Sequence, residues 1–122
     1  PTLLITGDLS FYYDSNALWN NYINKKFKII LINNSGGGIF RILPGNDDSE
    51  KFETYFETVQ DQDANHLCKQ YGLGYQKVTT EEALLRALPE FFEASEKPQL
   101  LEVKTPRKVN NKILLAYFDF IS

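Results

Sequence analysis

The chain has 122 residues, of which 43% are hydrophobic and 14% aromatic, enough for one buried core without disulfide or metal support. With 13 basic and 16 acidic residues the net charge is −3, which excludes the strongly basic surface typical of nucleic-acid-binding proteins. No apolar run reaches the roughly 18 residues of a membrane-spanning helix, and the single cysteine, Cys68, favours a reducing, cytoplasmic location.

The first part of the chain predicts a strand, a helix and a second strand. Leu3-Leu4-Ile5 is an apolar run that stops at Gly7-Asp8, and residues 27–32 form a second run that stops at Asn33. Runs that are apolar on both faces are typical of parallel strands covered by helices. Apolar residues at helical spacing predict a helix over 14–24. Because the chain starts with Pro1 inside a predicted strand, we expect residues 1–122 to be one domain of a longer protein.

The second part continues the alternation of strands and helices. A polar loop is expected over 44–50, a helix over 63–71 ending at Gly72, a strand over 75–78, a helix capped by Thr80, a strand over 99–104 and an amphipathic helix over 110–121. The buried stripe of the Thr80 helix is predicted to be Leu84, Leu85, Leu88, Phe91 and Phe92, with Pro89 kinking or shortening it. We therefore predict a doubly wound parallel α/β sheet with helices on both faces, whose ligands bind at the carboxyl ends of the strands.

Two loops stand at those strand ends in this prediction. One carries the Asp8 carboxylate, and the other carries the Asn34 amide and the main-chain oxygen of Gly36, all hard oxygen donors that suit Mg²⁺. Mg²⁺ completes its shell with water and phosphate oxygens, so a diphosphate ligand is implied. A helix starting near Phe11, capped by Ser10, would aim its amides at the same anion. Taken singly, Gly-Asp and Asn-Asn-Ser-Gly are also common turns without a ligand.

The two loops together resemble a known signature. Gly7-Asp8-Leu9-Ser10 followed by Asn33-Asn34 is similar to the Gly-Asp and Asn-Asn motifs of thiamine-diphosphate enzymes. Within that group, Gly-Asp-Leu-Ser, residues 36–40 (Gly-Gly-Gly-Ile-Phe) and Leu43-Pro44 resemble the 2-succinyl-5-enolpyruvyl-6-hydroxy-3-cyclohexene-1-carboxylate synthases of menaquinone biosynthesis. The resemblance covers almost the whole chain, and its specific part is residues 7–44.

The resemblance implies a cofactor site of thiamine diphosphate with Mg²⁺ or Mn²⁺. It implies that Asp8, Asn34 and the main-chain oxygen of Gly36 hold the metal. It places Gly7, Leu9 and Ser10 beside the diphosphate, and Ile39, Phe40 and Leu43 around the cofactor and substrate.

The same resemblance implies the reaction and the partners. Such enzymes decarboxylate 2-oxoglutarate and add the succinic-semialdehyde unit to isochorismate. Their activating glutamate comes from a pyrimidine-binding domain of another subunit, which implies a homodimer or homotetramer. No catalytic residue is therefore assigned in these 122 residues, and we expect them to be inactive in isolation.

Other residues receive plainer interpretations. We expect His66 to have a structural or surface role, Cys68 to be a small buried apolar residue, and Arg41 and the cluster Arg107-Lys108 with Lys112 to face solvent. An acidic loop is favoured over a metal site for Asp47-Asp48 and Glu50. The aromatic residues are too numerous for one buried stripe, so some are expected to face another domain or subunit. They are Phe11, Tyr12, Tyr13, Trp19 and Tyr22.

Two other functions stay open at this point. One is a different thiamine-diphosphate decarboxylase or carboligase, similar to acetolactate synthase, against which Leu9-Ser10 and Ile39-Phe40 argue. The other is a non-catalytic α/β ligand-binding or interaction module, in which Asp8 and Asn34 only shape turns.

Overall fold

The computed structural model describes residues 1–43 and 49–122. The strands are β1 (Thr2–Gly7), β2 (Phe27–Asn33), β3 (Gly74–Val78) and β4 (Gln99–Lys104). The α-helices are α1 (Asp8–Tyr13), α2 (Asn65–Tyr71), α3 (Glu81–Phe92) and α4 (Asn110–Ile121). Two 3₁₀ helices span Ser15–Trp19 and Gly38–Ile42, and a π-helix spans Phe52–Glu57. All four predicted strands are confirmed; the loop predicted over 44–50 and the pair Asp47-Asp48 lie mostly outside the described residues.

The strands form one four-stranded parallel sheet in the order β1-β2-β4-β3. Leu4 of β1 pairs with Ile29 of β2, and Ile29 pairs in turn with Leu100 of β4. Ile29 and Leu100 are buried, as expected for central strands of a parallel sheet that is covered on both faces. The predicted parallel α/β fold is therefore confirmed.

The described chain divides into two compact units, and the sheet lies in the first, Pro1–Asn33 with Asp63–Lys104. On one face, Ile29 and Leu31 pack with Phe11 of α1 and Cys68 of α2. On the opposite face, Leu101 of β4 packs with residues of α3 that include Phe91. Successive side chains of a strand point to opposite faces, so adjacent residues of β4 serve the two cores. Helices thus cover both faces of the sheet, as predicted.

The second unit comprises Asn34–Gln62 and Thr105–Ser122. It contains the 3₁₀ helix Gly38–Ile42, the π-helix and α4. The bounds of α4 agree with the prediction, but none of its residues is buried. Its predicted apolar stripe is partly exposed, from 38% at Leu114 to 62% at Ile113.

The helix predicted over 14–24 is wrong. The α-helix lies earlier, in α1, and only the short 3₁₀ helix Ser15–Trp19 falls within the predicted range. The Asn20 side chain donates to the Ala17 carbonyl at 2.6 Å and accepts from the Tyr22 N–H at 2.9 Å. Such local side-chain bonds replace helical backbone bonds, so the chain turns here although its apolar spacing suits a helix.

The start of α3 agrees with the prediction and its buried face differs in part. The Thr80 hydroxyl accepts a hydrogen bond from the Ala83 N–H at 3.2 Å, the geometry of an N-cap. The helix passes through Pro89 and continues to Phe92, so Pro89 does not shorten it. Leu85 and Phe92 are exposed, because Ala87 and Phe91 form the face that packs on the sheet.

No helix in the described ranges, 1–43 and 49–122, combines the length and apolarity needed to cross a membrane.

Replacing Thr80 with alanine removes the cap of α3, and we expect the first turn of that helix to lose about 1 kcal/mol of stability. Native-state hydrogen exchange on the complete protein that carries this chain measures the loss as faster exchange at the Ala83 and Leu84 amides. The exposed neighbour Thr79 provides the matched control, since Thr79→Ala leaves the cap in place. Equal exchange in the two variants would contradict the capping role.

Candidate functional site

The first group of predicted site residues, Gly7 to Ser10, follows β1 directly. Asp8 is the first residue of α1 and is only 2% exposed. Gly7 holds an extended conformation and leads the strand straight into the helix. The predicted helix start near Phe11 with Ser10 as its cap is therefore wrong, because Ser10 already lies in the first turn. This group places a buried carboxylate at the carboxyl end of an edge strand.

A buried hydroxyl lies one helical turn beyond Asp8. Among the described residues, the Tyr12 Oη has no hydrogen-bond partner. Burial raises the pKa of Tyr12, and the charges of Glu102 and Asp8 raise it further. The tyrosine is therefore a neutral donor at physiological pH, in a region that holds buried carboxylates.

The sequence did not single out Glu102, which organises the same end of the sheet. Its buried carboxylate accepts hydrogen bonds from Asn33 Nδ2 at 2.6 Å, the Ala64 N–H at 3.0 Å and Tyr75 Oη at 2.7 Å. Lys104 Nζ in turn donates to Asn33 Oδ1 at 3.3 Å. A glutamate inside the apolar run Leu100-Leu101-Glu102-Val103 was the signal available in the sequence, since buried carboxylates need partners.

The second group of predicted site residues lies in the turn that follows β2. Ser35 has φ +65° and Gly36 has φ +145°, so the backbone reverses sharply. The Gly37 N–H donates to the Glu57 carbonyl at 2.6 Å, and the Gln60 N–H donates to the Ser35 carbonyl at 3.2 Å. These bonds anchor the turn to the segment 57–60 of the same unit.

Two glycines of this turn have close neighbours at the position that a side chain would occupy. A Cβ at Gly36 would lie 2.8 Å from the Glu57 carbonyl oxygen, on a backbone that L-residues rarely adopt. A Cβ at Gly38 would lie 2.7 Å from the Asn34 Nδ2, so the Asn34 amide occupies that space. The Gly36 carbonyl accepts from the Gly38 N–H at 3.0 Å. Glycine is thus required at Gly36, where both the backbone conformation and the neighbouring carbonyl exclude a side chain.

Two of the predicted pocket residues, Ile39 and Phe40, lie on the 3₁₀ helix Gly38–Ile42, and the third, Leu43, follows it directly. Ile39 is 63% exposed and Leu43 51% exposed, so neither is a core residue of the second unit. Phe40 is half-buried, and its ring meets Phe56 edge to face at 6.2 Å. Exposed apolar side chains beside a polar turn are available to line a ligand pocket.

Arg41 does not face solvent, contrary to the prediction. Its side chain is only 8% exposed and forms ion pairs with Glu57 at 2.6 Å and Glu53 at 3.2 Å. Arg107 pairs with the same two carboxylates, and Lys108 pairs with Glu53 at 3.2 Å. Hydrogen bonds from Lys108 and Arg107 lower the pKa of Glu53 below its ordinary range. Arg41 can be buried because it pairs with the carboxylate of Glu57, which lies 16 residues farther along the chain.

The prediction that Arg107 faces solvent is also wrong, since its side chain is 23% exposed and pairs with Glu57 and Glu53, whereas Lys108 and Lys112 are exposed as predicted. His66 and Cys68 have the environments that the sequence predicts. His66 is exposed, and Cys68 is fully buried, where burial raises its pKa to about 12. Such a thiol stays protonated and is a poor nucleophile. Within residues 1–43 and 49–122, no three His, Cys, Asp or Glu side chains form a metal-holding group. The predicted donor set is of a different kind, since it has one carboxylate and two neutral oxygens.

The fold and these residues define a class of protein. A parallel α/β sheet carries a buried aspartate at one strand end, and the next strand leads into a glycine turn with an asparagine amide. That combination is typical of domains that bind a phosphorylated cofactor through a cation.

Comparison with known families identifies which class this is. Residues 1–103 match the family described as thiamine pyrophosphate enzyme, C-terminal TPP binding domain. The match covers most of the chain, and the chain belongs to this family.

Individual relatives narrow the comparison. The chain is 55% identical over 121 residues to a 2-succinyl-5-enolpyruvyl-6-hydroxy-3-cyclohexene-1-carboxylate synthase of Christiangramia forsetii, covering 99% of this chain and 21% of that protein. It is 56% identical over 117 residues to the enzyme of the same name from Flavobacterium psychrophilum, covering 96% of this chain and 21% of that protein. The chain thus spans about one fifth of the length of the curated relatives it matches.

A solved structure supports the fold assignment. The thiamine diphosphate-dependent 4-hydroxybenzoylformate decarboxylase of Rhodococcus jostii aligns with a TM-score of 0.62 at 29% sequence identity. The alignment covers 85% of this chain and 19% of that one. The similarity is consistent with the α/β fold described above.

Replacing Gly36 with alanine should destabilise the turn by about 1–3 kcal/mol, because alanine meets the Glu57 carbonyl on an unfavourable backbone. The thermal midpoint of the complete protein, recorded without cofactor, should fall, and exchange of the Gly37 amide should quicken. Gly7→Ala serves as the control, since Gly7 has φ −82° and no atom within 4 Å of an added Cβ. If both variants are equally stable, the constraint on Gly36 is wrong.

Proposed function

We propose that this chain is the diphosphate-binding domain of a longer, cytoplasmic 2-succinyl-5-enolpyruvyl-6-hydroxy-3-cyclohexene-1-carboxylate synthase. The complete enzyme would decarboxylate 2-oxoglutarate and join the remaining four-carbon unit to isochorismate in menaquinone biosynthesis. The observation that carries this proposal is the 55% identity to such a synthase over 99% of the chain. Membership of the thiamine pyrophosphate enzyme family supports it independently.

Asp8, Asn34 and the main-chain oxygen of Gly36 would hold the Mg²⁺ or Mn²⁺ ion. The donor set fits a hard cation, since it offers one carboxylate, one amide oxygen and one carbonyl. The glycine at position 36 allows the positive φ of this turn, from which the Asn34 and Gly36 oxygens would be offered to the ion.

Gly7, Leu9 and Ser10 would border the diphosphate, and Ile39, Phe40 and Leu43 would border the thiazolium and the substrate. When bound, thiamine diphosphate supplies an electron sink for decarboxylation of a 2-oxo acid. The exposed apolar side chains of Ile39 and Leu43 would exclude water from that reacting centre. In this role the chain would bind and orient the cofactor, and the activating glutamate would come from another subunit.

The other half of the site would come from a pyrimidine-binding domain of a second subunit, within a homodimer or homotetramer. The exposed aromatic side chains of the first unit support an interface of this kind. Tyr13 is 71% exposed, Trp19 73% and Tyr22 91%. Aromatic residues are enriched at protein interfaces, which makes these exposed side chains suited to one.

We expect Asp8→Ala and the isosteric Asp8→Asn to abolish Mg²⁺-dependent binding of thiamine diphosphate by the complete protein. Both variants remove the only charged donor of the proposed metal site, and Asp8→Asn preserves its shape. Calorimetric titration of the metal-free protein with thiamine diphosphate, with and without Mg²⁺, measures the effect. The exposed Asp119→Ala is the control for a lost carboxylate. Undiminished binding in Asp8→Asn would show that the metal site is wrongly assigned.

The substrate pair distinguishes this function from an acetolactate-synthase-like alternative. With Mg²⁺ and thiamine diphosphate, the complete protein should release CO₂ from 2-oxoglutarate. It should form 2-succinyl-5-enolpyruvyl-6-hydroxy-3-cyclohexene-1-carboxylate only when isochorismate is present. Mass spectrometry of the product and measurement of CO₂ follow the two events. Consumption of pyruvate in place of 2-oxoglutarate would favour the alternative enzyme, and cofactor binding without turnover of either would favour a non-catalytic module.

A further inference from the structure

The second unit contains a fully buried carboxylate to which the proposed function gives no role. Glu57 is 0% exposed and ends the π-helix Phe52–Glu57. Its Oε1 accepts from Arg41 Nε at 2.8 Å, and its Oε2 accepts from Arg41 Nη2 at 2.6 Å. Arg107 Nη1 donates to the same Oε2 at 3.0 Å. The carboxylate is thus held by a two-pronged contact from one arginine and a single contact from another.

The charged side chains around Glu57 depend on one another for their pairing. Glu53 Oε1 accepts from Arg41 and Arg107, each at 3.2 Å, and pairs with Lys108 at 3.2 Å. The buried carboxylate therefore lies among three cations and a second, less buried carboxylate. Buried charges are stable only when paired and hydrogen-bonded, so loss of Glu57 would leave Arg41 without its main partner.

This ionic cluster is connected to the glycine turn by two separate routes. The main-chain carbonyl of Glu57 accepts from the Gly37 N–H at 2.6 Å and lies 2.8 Å from the Cβ position of Gly36. Its carboxylate holds Arg41, which belongs to the 3₁₀ helix Gly38–Ile42 that follows the turn. One residue thus fixes both the turn and the helix that leaves it.

We propose that Glu57, clamped by Arg41 and Arg107, is a positioning residue that presets the turn of Asn34 and Gly36 for its metal ion. This inference rests on the proposed function, because that function supplies the metal. Residues outside the ligand set that orient the ligands change metal affinity without touching the ion. A turn fixed before binding loses less conformational entropy when the ion arrives.

The test compares Glu57→Gln with wild type in the complete protein. Without cofactor and metal, the Gly37 amide of the variant should exchange faster, since its acceptor is less firmly placed. The Mg²⁺ concentration that gives half-maximal thiamine diphosphate binding should rise about 10- to 100-fold. Binding at saturating Mg²⁺ should be retained, because Asp8, Asn34 and Gly36 are unchanged.

Two further variants complete the design. Glu96→Gln makes the same chemical change in the exposed ion pair of Lys25 and Glu96, 3.3 Å apart in the first unit, and should alter neither readout. Arg107→Lys keeps the charge and loses the planar fork, so it should raise the Mg²⁺ requirement less than Glu57→Gln does. If Glu57→Gln fails to fold, the Mg²⁺ requirement of Arg107→Lys tests the proposal in its place.

The outcomes separate this inference from the proposed function. Wild-type protein that binds thiamine diphosphate only with Mg²⁺, and Asp8→Asn protein that does not, together establish the metal site without reference to Glu57. If that holds while Glu57→Gln and Arg107→Lys keep the wild-type Mg²⁺ requirement, the positioning role is overturned. Lower thermal stability with an unchanged Mg²⁺ requirement also overturns it, since that pattern describes structural support alone.

Discussion

The first unit depends on the buried carboxylate of Glu102. It draws three donors to one point, from β2, β3 and the start of α2, through Asn33, Tyr75 and Ala64. A buried carboxylate is stable only while it is hydrogen-bonded, so each of the three donors offsets part of its cost of desolvation. Its bond to Asn33 fixes the last residue of β2, and so fixes where the chain leaves the sheet.

That constraint explains why the two asparagines at the end of β2 have different environments. Asn33 is fully buried and its amide is occupied by Glu102 and Lys104. Asn34 begins the second unit, and its amide lies over Gly38, where glycine leaves room for it. Asn33 therefore ends the strand, and Asn34 belongs to the turn that follows it.

The sequence predicted the elements whose cause is local and missed those whose cause is distant. β1 and β2 follow from apolar runs, and the cap at Thr80 and the stop at Gly72 follow from residue types with a single strong preference. The helix over 14–24 failed because Asn20 bonds its own backbone, a competition that apolar spacing does not register. The prediction for Arg41 failed because its partner Glu57 lies 16 residues away. Arg107, which binds the same carboxylate, lies 50 residues from Glu57.

The candidate site shows the same division between what is local and what is distant. Its proposed donors could be predicted from the sequence because each stands in a short motif, whereas the groups that hold them in place could not.

The charge of the proposed donor set suits a diphosphate ligand. A divalent cation bound to the single carboxylate of Asp8 would keep one positive charge, which an anionic diphosphate can neutralise. A second carboxylate in the set would have cancelled that charge and weakened the attraction for the cofactor. Glu57, whose main-chain carbonyl accepts from Gly37 in the turn, is neutralised by arginines, so it would not reduce the positive charge of the proposed metal site. In the proposed role Glu57 would therefore orient the glycine turn through its backbone and its ion pairs, while the positive charge that attracts a diphosphate is preserved.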